Sequence, residues 1–390
     1  MRLAAGRPHF RDHGTVDLSE VPFSSAAQEA ELVLTVTYPA PVPSPPARRP
    51  ATLRIGSLEL STPIFIAPMV GITDRPFRAF AREMGVGLTC TEMTAAAALV
   101  KAPEEVAARL LDLGPDEQPV AAQLVGNDPQ MMADAAQICV EMGADTVDVN
   151  LGCPVPKVVR LGSGAALARE ISRTAAVLEA MVRAVDVPVT AKMRLGWDYQ
   201  SINAPELSRA LEDVGVAAVT VHGRTRCQKY TGFADWDEIA RVKEAVRHIP
   251  VLGSGDVRDT ALIEGRIRAG AVDGVVVARG MLGDWNFLEQ TVSQLRWGEP
   301  GPTPDFENRL RLAKRHWDAM VVHHGEQRGV RLSRKFVVWA IKGCDGAARL
   351  RARVADLFTQ ADLDQLYTEI LRAGEGPSGW HRPNFTSGEG

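Results

Sequence analysis

Short apolar runs alternate with amphipathic stretches along most of the chain after residue 53. Runs typical of β-strands lie at residues 63–67, 87–91, 119–124, 145–150, 187–192, 217–222, 249–253 and 273–278. Helical periodicity separates them, most clearly at residues 74–84, 129–142, 165–185, 204–214, 236–247 and 259–269. Several of these helical stretches begin at Asp, Ser or Pro and end near Gly, as helix boundaries require. Strands that alternate with helices in this way predict right-handed, parallel β–α–β units.

Two folds of the α/β class are compatible with this alternation. Eight β–α units can close into a (β/α)8 barrel, or TIM barrel, whereas a doubly wound sheet stays open. An open sheet that binds a dinucleotide would carry G-x-G-x-x-G after its first strand, and no such motif follows residues 63–67. We therefore predict the barrel.

The rest of the chain divides into three regions. Residues 1–50 show little periodicity and end in a proline-rich run, which favours an extended segment. After a Gly/Pro-rich break at 297–304 the periodicity becomes helical, at residues 306–324, 329–342, 346–357 and 361–372. The predicted organisation is a flexible N-terminal extension (1–50), a catalytic barrel (51–298), a small C-terminal helical bundle (305–372) and a flexible tail (373–390).

Composition narrows the class of protein. The chain of 390 residues is 45% hydrophobic and 24% charged, as is typical of a globular protein. No apolar run is long enough for a membrane span, and no secretory signal is recognisable, so we expect a cytoplasmic protein. Its five cysteines are an odd number and form no Cys-x-x-Cys pair. This pattern argues against a disulfide framework and against a bound metal.

Positive charge is concentrated near the C-terminus. The whole chain has a formal net charge of −4, yet residues 309–353 carry twelve Lys and Arg against three acidic residues, a local excess of +9. Such asymmetry is expected of a surface that contacts the phosphates of a nucleic acid. A solvated, arginine-rich helical surface is the alternative interpretation.

Reactive residue types follow the predicted strands where those strands end. In a (β/α)8 barrel the carboxyl ends of all strands meet at one mouth, so groups from distant segments converge there. Four such segments are 67–69, 150–154, 191–194 and 221–225. Lys192 ends the fifth strand, and its ammonium would stabilise an anionic flavin or an enolate; a lysine that only extends to solvent is the alternative. Gln123 and His222 end the third and sixth strands and could donate to a ring carbonyl or a phosphate, or serve as structural polar residues.

Glycine-rich turns follow the seventh and eighth strands, at 253–256 and 278–280. In this barrel these loops commonly bind a phosphate, because glycine lets backbone N–H groups approach the oxygens. Arg279 would add a positive charge. Tight barrel turns alone would also explain the glycines.

Cys153 differs from the other cysteines in its surroundings. Free cysteines are most often buried small hydrophobic residues, which is our interpretation of Cys90 and Cys139. Cys153 has Gly152 before it and Pro154 after it, in a turn at the predicted mouth. A thiol with a reference pKa of about 8.5 is mostly protonated near neutral pH and suits a general acid.

Several of these segments together resemble the bacterial tRNA-dihydrouridine synthases, most closely the B subfamily. The resemblance covers roughly residues 53–372, and it rests on Ala67-Pro68-Met69, Thr91-Glu92-Met93, Gln123-Leu124-Val125-Gly126, Asn150-Leu151-Gly152-Cys153-Pro154, Lys192-Met193-Arg194, His222-Gly223-Arg224-Thr225-Arg226 and Gly255-Asp256. The Asn-x-Gly-Cys-Pro and His-Gly-Arg-Thr-Arg elements are the most specific. Ala-Pro-Met also occurs in related flavin barrels.

This resemblance implies an FMN-dependent, NADPH-consuming reduction of the C5–C6 double bond of specific uridines in tRNA. It implies Cys153 as the proton donor and the following residues as FMN ligands: Ala67, Pro68, Met69, Gln123, Lys192, His222, Ser254, Gly255, Asp256, Ala278 and Arg279. The expected substrate-binding residues are Asn150 and Arg224 at the mouth and Arg331, Arg334 and Lys335, whose spacing can place them on one helical face. We expect a monomer with tRNA as its partner.

Two other functions remain compatible with the sequence. A small-molecule FMN oxidoreductase of the dihydroorotate or dihydropyrimidine dehydrogenase type shares the barrel and the chemistry, but it has no need of a basic helical appendage. A tRNA-binding protein without turnover would not need Cys153 or Lys192.

Overall fold

The computed structural model of the protein describes residues 52–299, 301, 303, 305–377 and 379. The predicted extension 1–50 and most of the predicted tail 373–390 lie outside the described residues.

The described strands are short and belong to two sheets. They are β1 (Leu53–Ile55), β2 (Leu58–Leu60), β3 (Ile64–Ile66), β4 (Thr89–Cys90), β5 (Thr94–Ala95), β6 (Val120–Val125), β7 (Thr146–Leu151), β8 (Val189–Arg194), β9 (Ala218–His222), β10 (Val251–Ser254) and β11 (Gly274–Val277). β1 and β2 form an antiparallel hairpin, and the other strands form one parallel sheet.

Helices connect the strands of the parallel sheet and make up the C-terminal region. They are α1 (Arg75–Glu83), α2 (Ala96–Val100), α3 (Glu104–Leu111), α4 (Pro129–Glu141), α5 (Pro156–Arg160), α6 (Ile171–Ala184), α7 (Ala204–Asp213), α8 (Trp236–Ala245), α9 (Thr260–Arg268), α10 (Asn286–Trp297), α11 (Phe306–His324), α12 (Glu326–Ala340), α13 (Ala347–Val354) and α14 (Gln360–Ala373).

The parallel sheet closes into the predicted (β/α)8 barrel. Its strands pair in the order β3, β11, β10, β9, β8, β7, β6 and β4, while β5 pairs with the same side of β6 as β4 does. A parallel bridge between Phe65 and Leu88 joins the first and last positions, and the Ile66 N–H donates to the Leu88 carbonyl at 3.1 Å. Each of the eight predicted strands corresponds to a strand in this ring, so the fold prediction is confirmed.

The β1–β2 hairpin closes the end of the barrel at which the strands begin. Gly56 at its turn has a φ of +54°, and a Cβ there would lie 3.0 Å from Pro188, just before β8. Ile55 and Leu60 are fully buried and pack with barrel residues such as Phe65 and Leu252. With this end filled by apolar side chains, polar groups can converge only at the opposite mouth.

Some helix boundaries differ from the periodicity prediction. α6 begins at Ile171 rather than 165, because residues 165–170 contain a 3-10 turn within the loop that leaves β7. α12 begins at Glu326 rather than 329 and contains Gly329, where a Cβ would lie 2.4 Å from the Val321 Cα on α11. Gly329 therefore marks a close approach of two helices rather than a helix boundary. Helix α10, which completes the last β–α unit, was absent from the prediction.

The C-terminal helices pack against one side of the barrel, beside the loop that follows β3. His324 on α11 lies 2.8 Å from the carboxylate of Asp74, which caps α1, and Arg315 pairs with Glu83 at 2.6 Å. The Lys335 ammonium on α12 donates to the Gly71 carbonyl in that loop. These contacts place α11 and α12 next to the barrel mouth. The domain limits at 298 and 305 stay a prediction.

Two kinds of feature are absent from the described ranges. None of the helices there combines the length and apolarity that crossing a bilayer requires. Nor do three or more His, Cys, Asp or Glu side chains within those ranges gather where they could hold a metal ion.

Candidate active site at the barrel mouth

Strand register brings the predicted site residues to one end of the barrel. Asn150 pairs with Lys192, and His222 pairs with both Arg194 and Ser254, all at the carboxyl ends of their strands. Pro68 and Lys192 line a common cavity inside the barrel. Side chains separated by more than a hundred residues in sequence therefore share one site, as the barrel prediction required.

A chain of hydrogen bonds runs from the barrel interior to the Cys153 loop. The buried Asp148 carboxylate accepts from the Gln123 amide at 2.7 Å, and Gln123 Oε1 accepts from Asn150 Nδ2 at 2.8 Å. Asn150 Oδ1 in turn accepts from the backbone N–H groups of Gly152 at 3.1 Å and Cys153 at 2.9 Å. Two neighbouring strands, β6 and β7, thus fix the turn that carries the thiol.

The Cys153 loop is also held from its other side. The Cys153 carbonyl accepts from the Ala165 N–H at 3.2 Å, and Gly164 lies so close that a Cβ would be 3.1 Å from the Cys153 Cβ. The Cys153 residue is partly buried, whereas Cys90 and Cys139 are fully enclosed, as expected. Burial raises the pKa of the Cys139 thiol to about 12, which keeps it inert.

Lys192 carries a positive charge into an enclosed part of the site. Burial first, and then repulsion from Arg194, lower the pKa of Lys192 to about 8, while the Asp148 carboxylate opposes this shift. Burial raises the pKa of Asp148, and its hydrogen bonds from Gln123 and Thr190 together with Lys192 pull in the other direction. An ammonium that is costly to bury is well suited to a negatively charged ligand at the mouth.

His222 is kept neutral by its surroundings. Burial, and then the adjacent cations, hold the pKa of His222 well below its usual value; these cations are Arg194, Lys192, Arg224 and Arg279. A neutral imidazole can donate one hydrogen bond and accept another. The site thus holds a strong positive field and a neutral ring that can bind polar groups.

Arg224 is bound to the protein itself. It is 2% exposed, and its guanidinium donates to Asp256 at 2.8 and 2.9 Å and to the Gly232 carbonyl at 2.7 Å. It also lies 3.3 Å from His222 Nε2. These contacts shape the loops after β9 and β10, so the substrate role expected for Arg224 stays a prediction.

The loops predicted to bind a phosphate are packed tightly against each other. Gly255 has a φ of +116°, and a Cβ on it would lie 2.6 Å from Ala234 and 3.0 Å from the His222 ring. A Cβ on Gly280 would lie 2.0 Å from the Val257 carbonyl oxygen. The Arg279 guanidinium stacks over the Tyr230 ring at 4.3 Å, beside these turns. Only glycine fits at positions 255 and 280, and the Arg279 guanidinium lies beside these turns.

Arg331, Arg334 and Lys335 do not share one exposed face. Arg331 is exposed. Arg334 donates to the Leu357 carbonyl and stacks over Phe358 at 5.1 Å. Lys335 reaches the loop after β3. Two of the three side chains are therefore engaged within the protein, because α12 packs against α13 and the barrel as well as facing solvent. The expected role of the three residues in binding tRNA stays a prediction.

Three residues that the sequence prediction missed take part in the site. Asp148 lies two positions before Asn150, on the same face of β7, and this alternation could have identified it. Arg194 follows Lys192 by two positions and donates to the Gly152 carbonyl at 2.9 Å. Tyr230 lies under both Arg194 and Arg279, in a loop with no periodicity that could have marked it.

Exposed apolar and basic side chains surround the mouth on the side of β7, β8 and β9. Phe233 is 83% exposed and Tyr199 is 61% exposed, in the loops after β9 and β8. Trp197 is held between the guanidinium groups of Arg169, at 4.6 Å, and Arg226, at 4.4 Å. We call these residues the aromatic rim. Its members are Phe233, Tyr199, Trp197, Arg169 and Arg226, together with the exposed Val155, Leu161 and Lys229.

Comparison with known proteins identifies one family. The family model described as Dihydrouridine synthase (Dus) matches residues 65–374. A probable tRNA-dihydrouridine synthase of Rickettsia bellii is 41% identical over 323 residues, which are 82% of this chain and 99% of that protein. The tRNA-dihydrouridine synthase B of Pseudomonas aeruginosa is 38% identical over 331 residues, 84% of this chain and 99% of that protein.

A solved structure of lower sequence similarity has the same barrel. A 2-naphthoyl-CoA reductase in complex with 2-naphthoyl-CoA superposes with a TM-score of 0.50 at 13% identity, covering 63% of this chain and 52% of that one. At this identity the likeness concerns the fold alone.

Proposed function

Because the chain belongs to the dihydrouridine synthase family, it is a flavin-dependent oxidoreductase, and we propose that it reduces specific uridines of tRNA to 5,6-dihydrouridine with FMN as cofactor and NADPH as reductant. One observation carries the proposal. The cysteine turn, fixed by hydrogen bonds from β6 and β7, and the partly buried ammonium of Lys192 face the same barrel mouth.

The mouth has the chemistry that an FMN molecule requires. Two tight glycine turns lie after β10 and β11, where Ser254, Gly255, Asp256, Ala278 and Arg279 would hold the phosphate. Lys192 and Gln123 would bind the polar edge of the ring, with His222 beside them. Ala67, Pro68 and Met69 would contact the ring from the end of β3. These residues fit an anionic, partly aromatic ligand.

The reduction adds one hydride and one proton to the uracil ring. The residues after β10 and β11, with Gln123 and Lys192, would hold an FMN that, once reduced by NADPH, would supply hydride for C6. The Cys153 thiol then gives its proton to C5, and the Asn150 hydrogen bonds hold its backbone in place. Lys192 stabilises negative charge that develops at the mouth. The target uridine must leave its stack to enter such an enclosed site.

We place the tRNA on two sides of the mouth. In the ring of eight strands β8 lies opposite β3, so the aromatic rim faces the C-terminal helices across the mouth. Exposed aromatic side chains among basic residues are typical of surfaces that bind unstacked nucleotides. The helices would bind phosphates through residues such as Arg331. The protein would act in the cytoplasm as a monomer.

The direct test is the cofactor and product of the purified protein. We expect non-covalently bound FMN, identified by chromatography, and NADPH-dependent formation of dihydrouridine in tRNA that lacks it, located by mass spectrometry. Retention of FAD instead of FMN would contradict the cofactor assignment. Reduction of free orotate or another free pyrimidine, with no reaction on tRNA, would favour a small-molecule oxidoreductase. Tight tRNA binding without flavin would favour a binding protein.

Replacement of Phe233 by alanine tests the aromatic rim. Stacking of one base on an aromatic side chain contributes about 1–3 kcal/mol, and the lower end suits so exposed a ring. We expect the KM for tRNA to rise roughly fivefold while NADPH oxidation without tRNA is unchanged. Leu262→Ala, at an exposed apolar residue on α9, is the matched control and should change neither. An unchanged KM for Phe233→Ala would remove this ring from the tRNA surface.

A further inference from the structure

Asp148 lies at the interior end of the hydrogen-bond chain that reaches Cys153. It is 7% exposed, and its two carboxylate oxygens have separate partners, Gln123 Nε2 and Thr190 Oγ1, each at 2.7 Å. Asp148 touches neither the Cys153 loop nor the outside of the mouth directly. Its hydrogen-bonded connection to the Cys153 loop passes through Gln123 and Asn150.

Each link of the chain restricts the orientation of the next. An ionised carboxylate only accepts hydrogen bonds, so Gln123 must turn its NH2 group toward Asp148. The Gln123 carbonyl then faces Asn150, and the Asn150 NH2 group donates to it at 2.8 Å. This leaves the Asn150 carbonyl oxygen as the acceptor for the N–H groups of Gly152 and Cys153. One buried acceptor thus sets the direction of two amides.

We propose that Asp148 is a positioning residue, whose carboxylate fixes the amide orientations of Gln123 and Asn150 and thereby the turn that presents the Cys153 thiol. The inference rests on the proposed role of Cys153. The donor-to-acceptor direction of the hydrogen-bond chain is a separate physical property that can be tested without that role. Asp148 would then act on the catalytic geometry through Gln123 and Asn150, without a hydrogen bond of its own to the Cys153 turn.

If the hydrogen bonds of this chain ran in the opposite direction, the Cys153 turn would lose the Asn150 oxygen as its acceptor. In Asp148→Asn, as long as the Thr190 hydroxyl continues to donate to position 148, the new carbonyl accepts it and the new NH2 group must face Gln123. Gln123 then turns over, and Asn150 must turn over to match it. The Asn150 NH2 group would face the N–H groups of Gly152 and Cys153, a contact between donors that cannot form a hydrogen bond.

The same reasoning predicts a rescue. In the double variant Asp148→Asn/Asn150→Asp, the carboxylate at position 150 accepts from the turn and from a reversed Gln123, whose carbonyl accepts from the amide at position 148. Every link again joins a donor to an acceptor. The single variant Asn150→Asp has no such solution, because Gln123 then meets a carboxylate on both sides.

Hydrogen exchange of the peptide that contains Gly152 and Cys153, measured by mass spectrometry on the flavin-bound protein, tests the chain directly. Loss of the Asn150 acceptor should speed exchange there about fivefold to tenfold in Asp148→Asn, and the double variant should restore protection. Asn150→Asp keeps an acceptor oxygen at the turn and should retain most of the protection. Thr190→Val, which removes one hydrogen bond to Asp148 without reversing the chain, is the matched control and should retain protection at Cys153.

A second measurement follows the thiol itself. The rate of Cys153 alkylation by iodoacetamide, resolved by peptide from the exposed Cys227, should change in Asp148→Asn and return to its original value in the double variant. A merely structural role for Asp148 predicts that the double variant is at least as damaged as either single one. If the double variant does not restore protection of the Gly152 and Cys153 amides from exchange, the proposal is overturned, whether or not that variant folds. Neither readout depends on tRNA reduction, so a failure of the proposed function would leave these results unaffected.

Discussion

Cys153→Ala is expected to lose tRNA reduction by about 10²–10⁴-fold, the usual contribution of a general acid. The variant should still bind FMN and oxidise NADPH, because that step transfers a hydride to the flavin and needs no thiol. The structure supports this separation, since the turn is held by backbone groups of Gly152 and Cys153 rather than by the sulfur. Single-turnover kinetics with pre-reduced enzyme and unmodified tRNA measure the loss.

Cys227→Ala is the matched control for Cys153→Ala. Cys227 is exposed, in the loop after β9, and its replacement should leave both half-reactions unchanged. If Cys153→Ala reduces tRNA as fast as the unaltered protein does, another group or water donates the proton to C5.

His316→Leu is expected to change the pH dependence of stability. His316 is fully buried between barrel and C-terminal helices, with ring centroids of Phe336 at 4.6 Å and Trp285 at 5.0 Å, and neither ring nitrogen has a hydrogen-bond partner. Burial lowers the pKa of His316 to about 4. The folded state therefore holds this ring neutral.

The sign of the effect follows from proton binding. Between pH 6.5 and about 4 the unfolded chain protonates the imidazole and the folded protein does not, so stability falls as the pH is lowered through this range. From these pKa values the loss between pH 7 and pH 5 is about 2 kcal/mol. His316→Leu should lack this part of the pH dependence, and it should unfold at higher urea concentration at pH 5.

Urea unfolding of both proteins at pH 7, 6 and 5 provides the comparison, because other titrating groups contribute equally to each. His248→Leu, at an exposed histidine before β10, is the control and should follow the unaltered protein. Parallel pH profiles for His316→Leu and the unaltered protein would show that the folded state protonates His316 at no cost.

The barrel was predictable because its signal is local. Each strand is a short apolar run and each following helix has a polar face, so periodicity located all eight strands of the ring. The β1–β2 hairpin was missed because its three-residue strands are too short to show a period. Gly329 misled the prediction, because a glycine that permits close helix packing looks like a helix end in the sequence.

The candidate site was predictable only in part. Residue types at strand ends identified Cys153, Lys192 and Gln123, since the barrel dictates where strand ends meet. The direction of a long side chain on a helix depends on what packs around it. The spacing of Arg331 and Lys335 therefore did not show that Lys335 reaches the loop after β3 while Arg331 stays exposed. The same holds for Tyr230, which two arginines cover from other loops.

The sequence by itself determined the barrel, its mouth and the chemical types gathered there, because apolar periodicity and strand ends are properties of neighbouring residues. Only the tertiary structure decided which polar groups bind one another: Arg224 with Asp256, and Asp148 with Gln123 and through it Asn150. Hydrogen bonds act over about 3 Å, and the distances between residues far apart in the chain are set only when the strands close into a ring.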